Sequence, residues 1–181
     1  MLLEAPLSKQ VAASLRAGDA VWIDGTIYVA RDAAHKRMVE GLARGEELPF
    51  DPRGAVIYYM GPSPAKPGQP IGSAGPTTSY RMDPYTPRLL AQGVVGLIGK
   101  GSRNEAVKEA LKEHGAVYMA AVGGAAALIA KCVESAECIA FPDLGAEAVL
   151  RLHVKRFPAI VVNDSVGGDL YESARKQWAR K

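Results

Sequence analysis

The chain has 181 residues, 48% hydrophobic and 23% charged, which is enough for one well-formed core and too few for two large domains. Its formal charge of +3 comes from Lys and Arg scattered along the chain, which argues against the concentrated basic footprint of a nucleic-acid binder. No segment approaches the roughly 18 consecutive apolar residues of a membrane span, and Met1 to Gln10 lacks the pattern of a signal peptide, so a cytoplasmic location is expected.

An extended N-terminus leads into the first patterned segment. Trp22, Ile23, Ile27, Tyr28 and Val29 flank Asp24-Gly25-Thr26, which predicts a hairpin. Asp32 is then placed to cap a helix running towards Arg44, and Arg31 falls at the strand-to-helix junction. A cation there gains nothing from the helix dipole, so Arg31 either pairs with a carboxylate such as Asp32 or serves a ligand. His35 closes a local hydrogen bond or sits at a subunit interface.

Ala55 to Met60 reads as a strand. Nine of the twelve prolines fall between Pro49 and Pro87, and a long proline-stiffened loop inside a compact domain predicts a functional loop, here one that reorders when the domain closes on a partner. The loop ends in Ser73-Ala74-Gly75-Pro76-Thr77-Thr78-Ser79-Tyr80-Arg81-Met82-Asp83. Consecutive hydroxyls beside an arginine suit a pocket that aims O–H, N–H and guanidinium groups at a small anion. The same composition also suits a surface loop that caps a helix. Asp83, before Pro84, is expected to cap a helix from Pro84 to Gln92.

The apolar run Val94 to Ile98 predicts a buried strand that ends in Gly99-Lys100-Gly101, and Ser102 with Glu105 predicts a capping box for a helix to His114. Lys100 therefore stands at the carboxyl end of a strand, where ligands gather in open α/β sheets. A nucleotide-binding P-loop is excluded, because Val94 and Gly101 stand where that pattern needs Gly and Ser or Thr. Beyond follow a strand from Ala116 to Val122, a helix from Ala125 to Val133, a strand from Glu137 to Phe141, a helical stretch near Glu147 to Leu152 and a strand from Ala159 to Val162. This alternation predicts an α/β fold with a largely parallel sheet, crossover helices and an additional N-terminal β layer. Residues 1–171 are expected to form one domain, and 172–181 a basic, solvated tail. Cys132 and Cys138 are expected to be buried free thiols, too few to hold an iron–sulfur cluster.

Arg31, Arg81 and Lys100 thus stand beside loop hydroxyls at the ends of three elements. Two planar forks and a point charge suit a small dianion such as a C4 dicarboxylate.

The segments Ala30 to Arg37, Gly75 to Asp83, Gly99 to Ser102 and Ala159 to Asp164, in this order, resemble the C-terminal domain or β subunit of class I fumarate hydratases and the related L(+)-tartrate dehydratases. The resemblance runs from about Pro6 to Tyr171. It implies a swivelling β/β/α domain and a hydro-lyase that adds water reversibly to fumarate to give L-malate. It implies that Arg31, Arg81 and Lys100, with Thr78 beside them, hold the substrate, while Thr77 lies at the reacting carbon as proton acceptor or donor. A 4Fe-4S cluster is then held by a cysteine-bearing α subunit in an α2β2 assembly, and this chain alone is expected to be inactive. The same residues serve an L(+)-tartrate dehydratase β subunit. A reading from another class is a stand-alone anion-binding module.

Overall fold

A computed structural model describes residues 1–179; the last two residues of the basic tail, Arg180 and Lys181, lie outside them. The chain is a mixed α/β domain built on one seven-stranded sheet in the order β1-β2-β3-β4-β5-β7-β6. The strands are β1 (Leu2–Ala5), β2 (Ala20–Val29), β3 (Val56–Tyr58), β4 (Gly96–Gly99), β5 (Val117–Ala120), β6 (Val133–Ala140) and β7 (Val149–Asn163). Strands β1 to β5 pair in parallel, whereas β7 runs antiparallel to β2, β5 and β6. Because β7 bonds to both β5 and β2, strands β2, β3, β4, β5 and β7 close into a small barrel. The N-terminal strands belong to this same sheet.

Closure buries the inner face of the sheet, helices bury the outer face over its central strands, and successive side chains alternate between the two. Val56, Tyr58, Ile98, Val117, Met119, Leu152 and Val161 fill the barrel side. Ile57, Tyr59, Leu97 and Tyr118 point to the other face, where α2 (Asp32–Ala43), α3 (Thr86–Ala91) and α4 (Glu105–His114) cover them with Met38, Leu89, Val107 and Leu111. Strands covered on both sides need continuous apolar sequence, which is why β3 and β4 are buried throughout. The remaining helices are α1 (Lys9–Ser14), α5 (Ala126–Ala130) and α6 (Leu170–Trp178).

Several expectations are corrected. The hairpin at Gly25 is instead the middle of the continuous strand β2, and the helical stretch near residues 147–152 is the start of the long strand β7. Gly25 (φ 98°) and Arg156 (φ 54°) form an irregularity in the β2–β7 ladder, with the Arg156 N–H donating to Asp24 Oδ1 at 2.6 Å, so the apparent turn is a bulge within a strand; residues 150–152 are held extended between β2 and β6. Cys138 is exposed and Cys132 half-buried; both are free thiols. The cap of α4 is Asn104, whose side chain accepts from the Val107 N–H, not the expected Ser102 box. The segment after Tyr171 is helical to Trp178 and is tied to α4 through Lys108.

Candidate active site

Strands β2, β3 and β4 are parallel neighbours, so their carboxyl ends open on one edge of the sheet. Arg31 follows β2 and occupies the cap position of α2 with an extended backbone. The Thr77 N–H donates to Tyr59 O, at the end of β3, at 2.8 Å. Thr78 lies beside Lys100, at the end of β4, in a parallel bridge. The sheet therefore gathers Arg31, Thr77, Thr78 and Lys100 along one edge although 69 positions, 100 minus 31, separate the first from the last. Arg81 follows on the 3-10 turn Ser79–Met82 and is exposed, as is Lys100.

Arg31 is not free in the isolated chain. Its Nη2 lies 3.2 Å from Glu147 Oε1 and 3.7 Å from Asp32 Oδ1, and Glu147 Oε2 also accepts the Ala33 N–H at 3.1 Å. The Arg31 side chain is 22% exposed, while its Nε is buried without a hydrogen-bond partner, so the carboxylates orient a fork that is only partly open to solvent. Asp32 is the first residue of α2 rather than its cap. His35, one turn on, bonds through Nδ1 to Arg31 O at 2.8 Å; since a carbonyl only accepts, Nδ1 carries the proton. Burial, helped by repulsion from Arg103 and opposed by that carbonyl, lowers the imidazole pKa to about 4, and the ring is neutral near pH 7.

Behind the Thr77–Lys100 edge lies a buried polar group. Asp83, expected as a helix cap, instead pairs with Arg103: Arg103 Nε donates to Asp83 Oδ1 at 2.7 Å, and the Asn104 N–H donates to Asp83 Oδ2 at 2.9 Å. Arg103 Nη2 donates to Thr86 Oγ1 at 2.7 Å, and the guanidinium lies over the rings of Tyr59 and Tyr118. Ser79 Oγ shares a 2.9 Å hydrogen bond with the Tyr118 hydroxyl, which donates to Gly101 O. Burial pushes the Tyr118 phenol pKa up, so it stays protonated. Sequence reasoning missed Arg103, Tyr118 and Glu147, because no local pattern marks a side chain whose partners lie on other elements.

The donor set does not fit a 4Fe-4S cluster on this chain. Cys132 and Cys138 are its two cysteines, and among the described residues no group of three or more His, Cys, Asp and Glu is arranged to hold a metal ion. Among the described residues no helix is long and apolar enough to cross a membrane.

The Fumarase C-terminus family matches residues 1–174. Fumarate hydratase 2 of Leishmania major is 40% identical over 93% of this chain, and the aerobic class I fumarate hydratase of Escherichia coli is 41% identical over 83%. The chain spans only 30% and 28% of those two proteins. A putative L(+)-tartrate dehydratase subunit beta of Methanocaldococcus jannaschii is 38% identical over 97% of this chain and 93% of its own length. A match that runs through every strand of the closed sheet leaves one assignment: the chain is a member of the Fumarase C-terminus family.

Proposed function

We propose that this chain is the β subunit of a two-subunit class I fumarate hydratase, which hydrates fumarate reversibly to L-malate. The observation that carries the reading is the convergence of Arg31, Thr77, Thr78 and Lys100 on the carboxyl ends of three adjacent parallel strands. Two guanidinium forks, Arg31 and Arg81, and the Lys100 ammonium match the two carboxylates of a C4 substrate. Thr78 adds a hydroxyl beside Lys100. Thr77 exchanges the proton at the reacting carbon, helped by a group from the partner, since a hydroxyl is a weak base on its own.

In this reading a cysteine-bearing α subunit supplies the 4Fe-4S cluster, the two chains assemble as α2β2, and this chain alone is inactive. The exposed Arg81 and Lys100 support a site completed by another surface. Two unpaired thiols suit a reducing cytoplasm. The swivelling β/β/α arrangement would let the whole domain, residues 1–171, close on its partner.

A second reading, an L(+)-tartrate dehydratase β subunit, is favoured by one observation: the tartrate dehydratase relative is a separate chain of nearly the same extent. Anaerobic assay of the reconstituted two-subunit enzyme on fumarate, malate and L-tartrate decides between them. Turnover of fumarate and malate is expected, and turnover of tartrate alone reverses the ranking. A stand-alone anion-binding module would instead purify without a cysteine-bearing partner and bind a dicarboxylate tightly by itself.

A further inference from the structure

Under the two exposed cations lies a charged pair that the proposed reaction does not use. The Arg103 side chain is 0% exposed and that of Asp83 5%. Stability alone is a weak reason for such a pair, because stripping water from two charges costs about as much as their attraction returns. The pair does something else in this fold: it joins two chain segments that each carry one of the cations.

The first segment is the 3-10 turn with Arg81. It is pinned at one end by Ser79, whose N–H donates to Lys100 O at 2.9 Å and whose Oγ accepts the Lys100 N–H at 3.1 Å. At the other end it is pinned by Asp83, which takes the Arg103 Nε–H at 2.7 Å and the Asn104 N–H at 2.9 Å. The second segment, Lys100 to Asn104, supplies the partner at both ends. Arg81 therefore sits between two cross-links to the segment that begins with Lys100. The Arg103 fork extends the second cross-link to Thr86 and holds its plane over Tyr59 and Tyr118.

We infer that Arg103 is a positioning residue, which fixes the separation of Arg81 and Lys100 so that both meet the carboxylates of one dicarboxylate. This rests on the proposed substrate contacts of Arg81 and Lys100. A planar guanidinium is required, since an ammonium keeps the charge but cannot bond Asp83 and Thr86 in one plane or stack against two rings.

The test is a double-mutant cycle on the assembled two-subunit enzyme, with succinate, a saturated C4 dicarboxylate, as competitive inhibitor. Arg103→Lys and Arg81→Lys are each expected to raise the inhibition constant about tenfold, the scale of a lost charge-assisted hydrogen bond. The double variant is expected to stay within about twofold of Arg81→Lys alone, because both changes remove the same interaction. A merely structural role would leave losses that multiply. Multiplying losses, or unchanged succinate binding in Arg103→Lys, overturn the inference. Should Arg103→Lys fail to assemble, Thr86→Val takes its place in the cycle, because it removes the oxygen that accepts from Arg103 Nη2 and keeps the side-chain shape. Wild-type succinate binding in Arg81→Lys would mark a different failure, that of the substrate-contact reading itself.

Discussion

Ser79 and Lys100 exchange two hydrogen bonds: the Ser79 N–H donates to Lys100 O at 2.9 Å, and the Lys100 N–H donates to Ser79 Oγ at 3.1 Å. The loop, already bonded to Tyr59 through the Thr77 N–H, is thereby also sewn to the end of β4. With the Thr77 N–H bond to Tyr59 O, this seam holds Thr77 and Thr78 at the sheet edge.

The seam depends on Gly99. A Cβ there would run into Ser79 Oγ and stand 2.9 Å from the Tyr59 ring. Gly99→Ala is expected to destabilise the chain by about 1–3 kcal/mol, the usual cost of overpacking, and to lower activity of the assembled enzyme more than its melting temperature predicts. Thermal melting and kcat/KM measured together check this; an unchanged seam would leave both at wild-type values.

At the site itself, Arg81→Lys is expected to preserve charge and lose bidentate geometry, with a cost of about 2 kcal/mol in kcat/KM. Thr77→Val is expected to depress kcat with little change in substrate affinity, because it removes a hydroxyl needed as the proton moves and keeps the side-chain shape. Steady-state kinetics of the two variants, with folding checked by circular dichroism, separate the roles. Full activity in either removes that residue from the site.

His35 makes stability depend on pH. Its pKa falls from 6.5 in the unfolded chain to about 4 when buried, so between those values the unfolded state binds the proton and the folded state does not. Its neutral burial therefore stabilises the fold fully above about pH 6.5, and that contribution is lost as pH falls towards 4, by up to about 1.4 kcal/mol per pH unit. His35→Gln is expected to flatten this part of the profile. Denaturant titrations of both proteins at several pH values measure it, and parallel profiles would refute it.

Helix α6 is held by Lys108, whose ammonium lies 2.9 Å from Asp169 Oδ2 and 2.8 Å from Glu172 Oε1. The hydrogen bonds that the ammonium donates to Glu172 and Asp169, with that to Glu105, raise the Lys108 pKa, so the charge persists at any working pH. Lys108→Met is expected to cost about 1 kcal/mol or less, given the exposure of Glu172, and to speed amide exchange in residues 170–178 while β4 and β5 stay protected. Exchange at the wild-type rate in α6 would show that packing alone holds it.

Much of this protein was legible along the chain. The buried run Val94 to Ile98, the helix ending at His114, and the order of strands and helices from residue 94 to about residue 140 follow from hydrophobic period and turn chemistry, which act over a few residues. The residues Arg31, Thr77, Thr78, Arg81 and Lys100 stood out because polar and charged groups at strand ends have no role in a core. What only the tertiary structure decided depends on partners distant in sequence. Pairing of β2 with β7, whose residues 24 and 156 meet across 132 positions, turns an apparent hairpin and an apparent helix into two long strands. Arg103 and Asp83 look like loop and cap residues until the sheet brings Tyr59 and Tyr118 beside them. A local pattern records which face of an element is apolar; it does not record which distant group will satisfy a buried charge or an unpaired N–H, because that partner is chosen only when the sheet closes.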